Sequence, residues 1–310
     1  MKGMLPLMRR ICSIVISVIC MITFNVGLTD CAPVSVTIVP TQLSSSPAVD
    51  NTEATDYGQY IKKVWIVKNW YKGACNYSFS ISKIANGEIQ GKFATGDMAA
   101  PGYYYYLHNH LGDLTGTINN GIAECQFSDK DGNKGNVRIV FKTTDEIEAT
   151  ITYVDKSQRY KDYSLDGTFL FRPYNLKDID RFEPIIDQCF TVDLNSWGTV
   201  NFVSGKLVGR HIPMVFYLTN KDGDVLYNFG NIAPDNMNVE AVSFQDVNKD
   251  GLMDIIIIIG FDGGSARIAT VLFQQADGSF IIDGGLNAEI NVSGNNKDIE
   301  TITDYLSKKI

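Results

Sequence analysis

Between Tyr60 and Tyr174 the chain changes from apolar to polar and back at short intervals, the signature of strands with one face buried. The pattern predicts strands at 62–67, 77–84, 88–95, 114–118, 123–127, 136–142, 146–154 and 167–171. Turn formers separate them: Asn86-Gly87, Asn119-Asn120-Gly121 and Asp129-Lys130-Asp131-Gly132-Asn133. Through Ile147-Glu148-Ala149-Thr150-Ile151-Thr152-Tyr153 the alternation is strict, as on a half-buried strand. Successive hairpins of about eight strands predict an antiparallel barrel or a sandwich over 57–174.

From Asn175 the pattern changes. Strands are expected at 198–203, 214–219, 224–229, 240–244, 254–259, 268–274 and 279–282, with a short helix near the start of 176–188. Ile299, Ile302 and Leu306 recur at helical spacing and two lysines follow, so 296–308 predicts a closing helix whose basic end opposes the dipole. The fold class is mainly β: a β domain followed by an α+β domain over 175–310.

The N-terminus has a different character. Met1 to Arg10 carries Lys2, Arg9 and Arg10 and no acid; Ile11 to Leu28 is almost wholly apolar; Leu28-Thr29-Asp30-Cys31 follows. This resembles a bacterial lipoprotein signal over 1–31, and the resemblance implies that Cys31 is acylated. Asp30 stands where that pattern has Gly or Ala. A retained anchor is the second reading, because about 18 apolar residues is the lower limit for crossing a bilayer; a secreted protein is the third. All three place the body outside the cytoplasm, with the bacterial membrane met through the N-terminus. Residues 32–56 are rich in Ser, Thr and Pro and read as a disordered tether of roughly 25–30 Å reach.

Net charge is −8, which disfavours nucleic acid as a partner. Six cysteines are present, two of them, Cys12 and Cys20, within the apolar start. An exported chain can oxidise a pair, and Cys75 with Cys125 is the expected one, closing a loop worth roughly 4 kcal/mol in the chain-entropy model; buried thiols are the alternative. No Cys or His spacing suits a structural zinc.

The most specific chemistry lies in Asp246-Val247-Asn248-Lys249-Asp250-Gly251-Leu252-Met253-Asp254, which runs into Ile255–Ile259. Oxygen side chains fall at positions 1, 3, 5 and 9, and a glycine at 6 allows a sharp turn. Hard cations take six to eight oxygens at about 2.3–2.6 Å, and three carboxylates, an amide and the Leu252 carbonyl supply most of them. Ile257 occupies position 12, where an EF-hand needs glutamate. The stretch from Glu240 to Asp283 resembles an FG-GAP (VCBS-type) repeat, a blade of integrin-like β-propellers. That resemblance implies a calcium ion held by Asp246, Asn248, Asp250, Leu252 through its carbonyl, and Asp254, in a strand–loop–strand unit. One such loop does not make a propeller. An Asx-rich turn that binds nothing is the plain alternative, and Asn220-Lys221-Asp222-Gly223-Asp224 reads as such a hairpin turn.

Three further groups were weighed. Tyr103, Tyr104, Tyr105 and Tyr106 alternate faces if extended, giving either barrel wall or a stacking platform for sugars or peptides. His108 and His110 could chelate a metal with a third ligand, or make ordinary hydrogen bonds; His211 is distant in sequence. Gly263-Gly264-Ser265 lacks the nucleophile-elbow pattern. The expected function is an exported, lipid-anchored surface protein with a structural calcium loop, acting as a binding module for an extracellular ligand or protein. An extracellular hydrolase acting on polysaccharide and a small-ligand carrier using a hollow barrel are the competing readings.

Overall fold

The computed structural model describes residues 56–68, 76–96, 111–157, 166–179, 181–209, 212–230, 232–261 and 266–310. Cys31, the tether up to Thr55, Cys75, Tyr103–Tyr106, the three histidines and the Gly263–Ser265 stretch lie outside these residues.

Eight antiparallel strands close into a barrel: β1 (Val64–Val67), β2 (Asn76–Ala85), β3 (Glu88–Gly96), β4 (Leu111–Asn119), β5 (Ile122–Ser128), β6 (Lys134–Thr143), β7 (Glu146–Asp155) and β8 (Gly167–Pro173). Each pairs with the next, and β8 returns to β1 with Ile66 opposite Arg172. Alternation does the work expected of it: Ala123, Cys125 and Phe127 of β5 and Ile147, Ala149 and Ile151 of β7 point inward, and the residues between them face outward. Two hairpins turn on Asn86-Gly87 and Asn120-Gly121, with both residues of each pair at positive φ, the conformation that suits a tight two-residue connection.

Side chains fill the barrel. Phe93 meets Phe127 at 4.5 Å between ring centroids, Phe79 meets Phe171 at 4.8 Å, and Tyr77 and Trp65 stack nearby. An eight-stranded barrel is just wide enough for such a core. Cys125 sits in it as a buried free thiol, pushed up to about 12 by burial and then by the neighbouring Glu124 charge.

Val64-Trp65-Ile66-Val67 is an apolar run without alternation, and all four residues are buried. Trp65 and Val67 join the barrel core. Val64 and Ile66 belong to a second cluster with Tyr174, Tyr217 and Val225. The barrel wall is thereby cored against the lobe that follows, and 52–310 is one compact unit.

That lobe is two sheets and a helical layer. The first sheet runs β10 (Phe190–Leu194), β11 (Gly198–Leu207), β12 (Met214–Thr219), β13 (Val225–Asn228), with β9 (Phe182–Pro184) also on β11. The second runs β14 (Asn238–Gln245), β15 (Asp254–Gly260), β16 (Arg267–Gln274), β17 (Phe280–Ile281). Phe202, Phe216 and Leu218 of the first sheet pack against Ile255, Ile257 and Ile259 of the second. Ile256 and Ile258 face the other way, onto Ile290 of α1 (Gly284–Val292) and Ile302 and Leu306 of α2 (Ile299–Lys309). The unbroken isoleucine run thus reflects a strand covered on both faces.

Several expectations are corrected. The closing helix starts at Ile299, because Asp298 caps it by accepting from the Thr301 N–H. The expected helix near 176–188 resolves into two single 3-10 turns, Leu176–Asp178 and Ile186–Gln188, flanking β9. β9, β10 and α1 were not foreseen; α1 opens on Gly284-Gly285, poor helix formers whose start is fixed by the Asp283 cap.

Candidate functional site

The Asp246–Met253 loop joins β14 to β15, which are antiparallel with Gln245 opposite Asp254. Lys249 and Gly251 take positive φ of 62° and 85°, and this double left-handed step folds the loop back on itself. The loop's oxygens then serve its own backbone. Asp246 Oδ1 accepts from the Asp250 N–H at 3.1 Å and its Oδ2 from the Gly251 N–H at 2.9 Å. Asn248 Oδ1 accepts from the Asp250 N–H at 3.1 Å, and Asp250 Oδ1 from the Leu252 N–H at 2.8 Å. Asp254, fully buried, accepts from the Val247 N–H at 3.1 Å and from the Gln274 N–H at 3.0 Å.

Electrostatically the loop is one-sided. Burial, and then the Asp250 and Asp246 charges, push the Asp254 carboxyl up, against the pull of its two backbone donors. Among the described residues no Lys or Arg forms an ion pair with Asp246, Asp250 or Asp254. No three Asp, Glu, His or Cys side chains among the described residues are gathered closely enough to hold a metal ion. The structure therefore brings the five expected ligands onto one turn without drawing their oxygens to a common point. A carboxylate has about four acceptor sites over its two oxygens. Each oxygen here retains a lone pair, and Asp246 and Asp250 are exposed. The Asn248 amide, now donating to Asp250 at 2.9 Å, would turn its oxygen to a cation instead. The donor set is all oxygen, and suits calcium rather than a transition metal.

The loop is held from outside by Asn195, at the β10–β11 hairpin. Its amide donates to the Gly251 carbonyl at 3.0 Å and its Oδ1 accepts from the Met253 N–H at 3.0 Å. The next two residues reach elsewhere. Ser196 Oγ donates to the Ala276 carbonyl, and Trp197 Nε1 donates to the Gly278 carbonyl at 2.8 Å. Gly278 has a φ of 86°, and a Cβ there would stand 3.2 Å from Trp197 Nε1, so this contact requires glycine.

Trp197 also walls a cleft of about 240 Å³ between the lobes. Sequence reasoning missed both Asn195 and the cleft, since the residues involved are scattered from Lys62 to Ser279. Asn220–Asp224 is a plain hairpin turn, as expected: Asn220 Oδ1 accepts from the Asp222 and Asp224 N–H groups at 2.9 Å each, and Asn175 donates to Asp224.

Among the described residues no helix is long and apolar enough to cross a membrane. Comparison of the chain with protein-family models, with curated proteins and with solved structures returned no match.

Proposed function

We propose that the chain is an exported, lipid-anchored bacterial surface protein that acts as a binding module, with a structural calcium ion in the Asp246–Asp254 loop. The observation that carries the calcium assignment is the acidic loop: three carboxylates, one of them fully buried, share a turn and have no ion-pair partner among the described residues. The exposed Asp246 and Asp250 charges act on the buried Asp254 carboxyl, and a divalent ion would reverse the sign of that local field. Calcium would tie the β14–β15 connection together. It would do so at about 10⁻⁴–10⁻³ M, the range of extracellular modules.

The binding role is supported by the disposition of the rest. A carrier would need an open lumen, and aromatic side chains pack this one. A hydrolase of the glycosidase kind would need two carboxylates facing each other, and among the described residues that line the interlobe cleft Asp277 is the one acid. The anchor follows from Cys31 and the tether. Isothermal titration of calcium into the metal-stripped protein tests the loop. One saturable site is expected in the wild type and none in Asp250→Ala. No heat in the wild type would remove the calcium assignment.

A further inference from the structure

The cleft lies where the outer face of β2 and β3 meets the second lobe. Its floor is a row of alternate residues on β2: Ser78, Ser80 and Ser82. Ser78 is 6 % exposed, Ser80 is half-buried and Ser82 is exposed, so the row descends from the rim to the bottom. Ala94 stands across from Ser78, and Lys92 across from Ser80. The opposite wall is aromatic. Trp197 and Tyr227 meet edge to face at 5.7 Å and 74°. The indole N–H is spent on the Gly278 carbonyl, and the Tyr227 oxygen accepts from the Phe280 N–H at 3.2 Å, which leaves the phenol O–H to donate. The wall therefore offers ring surface and one phenol O–H donor. Burial raises the Tyr227 phenol, so it stays neutral.

Charge is confined to the mouth. Asp277 is held ionised, its carboxyl lowered chiefly by the Ser279 hydroxyl and N–H. Lys62 is committed to the Ser196 carbonyl, over the Trp197 ring, and Lys92 to Asp113. A phosphate or sulfate would meet the Asp277 carboxylate beside the two lysines, of which Lys92 is already ion-paired with Asp113. A peptide strand could not add to β2 or β3, each paired on both sides, and β13 on the facing wall, paired with β12 on one side, offers four residues, Val225–Asn228. An acyl chain would lie along the hydroxyls of Ser78 and Ser80; that of Ser82 donates to the Gln90 carbonyl at 3.2 Å. A ligand with one apolar face and a hydroxylated edge meets what is there: rings on one side, hydroxyls on the other, a carboxylate acceptor at the lip. The volume suits one ring rather than a long chain, being just under the usual range for ligand pockets.

We propose that the cleft between the β2–β3 face and the Trp197–Tyr227 wall binds a single sugar ring. The proposal rests on the reading of the chain as a binding module and is independent of whether the loop holds calcium.

The test uses the full chain and the methyl glycosides of glucose, galactose, mannose, N-acetylglucosamine and glucuronic acid as probes. Saturation-transfer NMR and the indole N–H resonance of Trp197, assigned with Trp197→Phe, are followed in calcium and in chelator. At least one glycoside is expected to saturate with a dissociation constant on the order of 1 mM and to move the Trp197 resonance. Ser80→Phe fills the cleft and should weaken that binding at least tenfold. Thr115→Phe, on the barrel's outer face but outside the cleft lining, should not change it. Absence of saturation by every glycoside up to roughly 50 mM overturns the proposal, because millimolar binding would be complete there. Binding that leaves the Trp197 resonance unmoved overturns it too, and needs no variant to fold. Calcium heats measured on the same sample report the loop separately, so failure of one reading is told from failure of the other.

Discussion

At the scale of single residues, burial and local donors decide what each group can do. Cys125 is enclosed by the barrel core and its thiol is pushed up to about 12, so it is protonated at neutral pH and screened from reagents. Alkylation by iodoacetamide should label Cys125 only after denaturation; mass spectrometry of the native protein reads this directly, and rapid native labelling would mean that the barrel opens. Asp277 behaves in the opposite sense. Its folded value lies below the ordinary 3.8, so its contribution to stability is present above that value and is lost as pH falls through it toward the lowered one. Binding at the cleft should therefore be flat from neutral pH down to about 4 and decline below, as a pH series of the glycoside titration would show. A buried thiol was one of the two readings open for Cys125; the state of Asp277 was not legible beforehand. The lowered Asp277 carboxyl comes from a Ser279 contact that needs the turn to be folded, and no local pattern signals it.

At the scale of elements, the same tetrapeptide pattern has three outcomes. Asp129-Lys130-Asp131-Gly132, Asn220-Lys221-Asp222-Gly223 and Asn248-Lys249-Asp250-Gly251 all make tight turns in which an Asp or Asn oxygen accepts from the N–H two residues on. Only the third is preceded by Asp246 and followed by a buried acid, Asp254. That extension was readable, and so were the barrel strands, because strict alternation and Asn-Gly turns leave little choice of register. The elements that escaped have no such signal. β9 is three residues long and gains its place by pairing with β11 through Gly205, where a Cβ would stand 2.1 Å from the Phe182 ring. Asn195 likewise acts across the fold, clasping the acidic loop while its neighbour Trp197 faces the cleft. Asn195→Ala removes two hydrogen bonds and should cost about 1–3 kcal/mol. It should also reduce the calcium-induced gain in stability, read by urea titration with and without the ion. An unchanged calcium increment would show that the loop stands without its clasp.

At the scale of the whole molecule, barrel and lobe are joined by Val64, Ile66, Tyr174, Tyr217 and Val225 rather than by a linker. Asn175, where the hydrophobic pattern changes, is pinned to the Asp224 turn. Ile66→Ala should lower stability by about 2–5 kcal/mol, and affect both lobes, since the residue lies in the barrel wall and in the shared core. Hydrogen exchange of barrel amides (β2, β5) and of lobe amides (β12, β15) should then accelerate together. The central claim, that this is a calcium-stabilised binding module, is tested most directly by differential scanning calorimetry of the full chain in chelator and in excess calcium. At an ion concentration tenfold above the dissociation constant, linkage adds about 1.4 kcal/mol, or about 3–6 °C for a protein of this size. The account predicts that rise in the wild type and almost none in Asp250→Ala. The same wild-type transition in chelator and in calcium would contradict it, and leave the Asp246–Asp254 loop a plain turn.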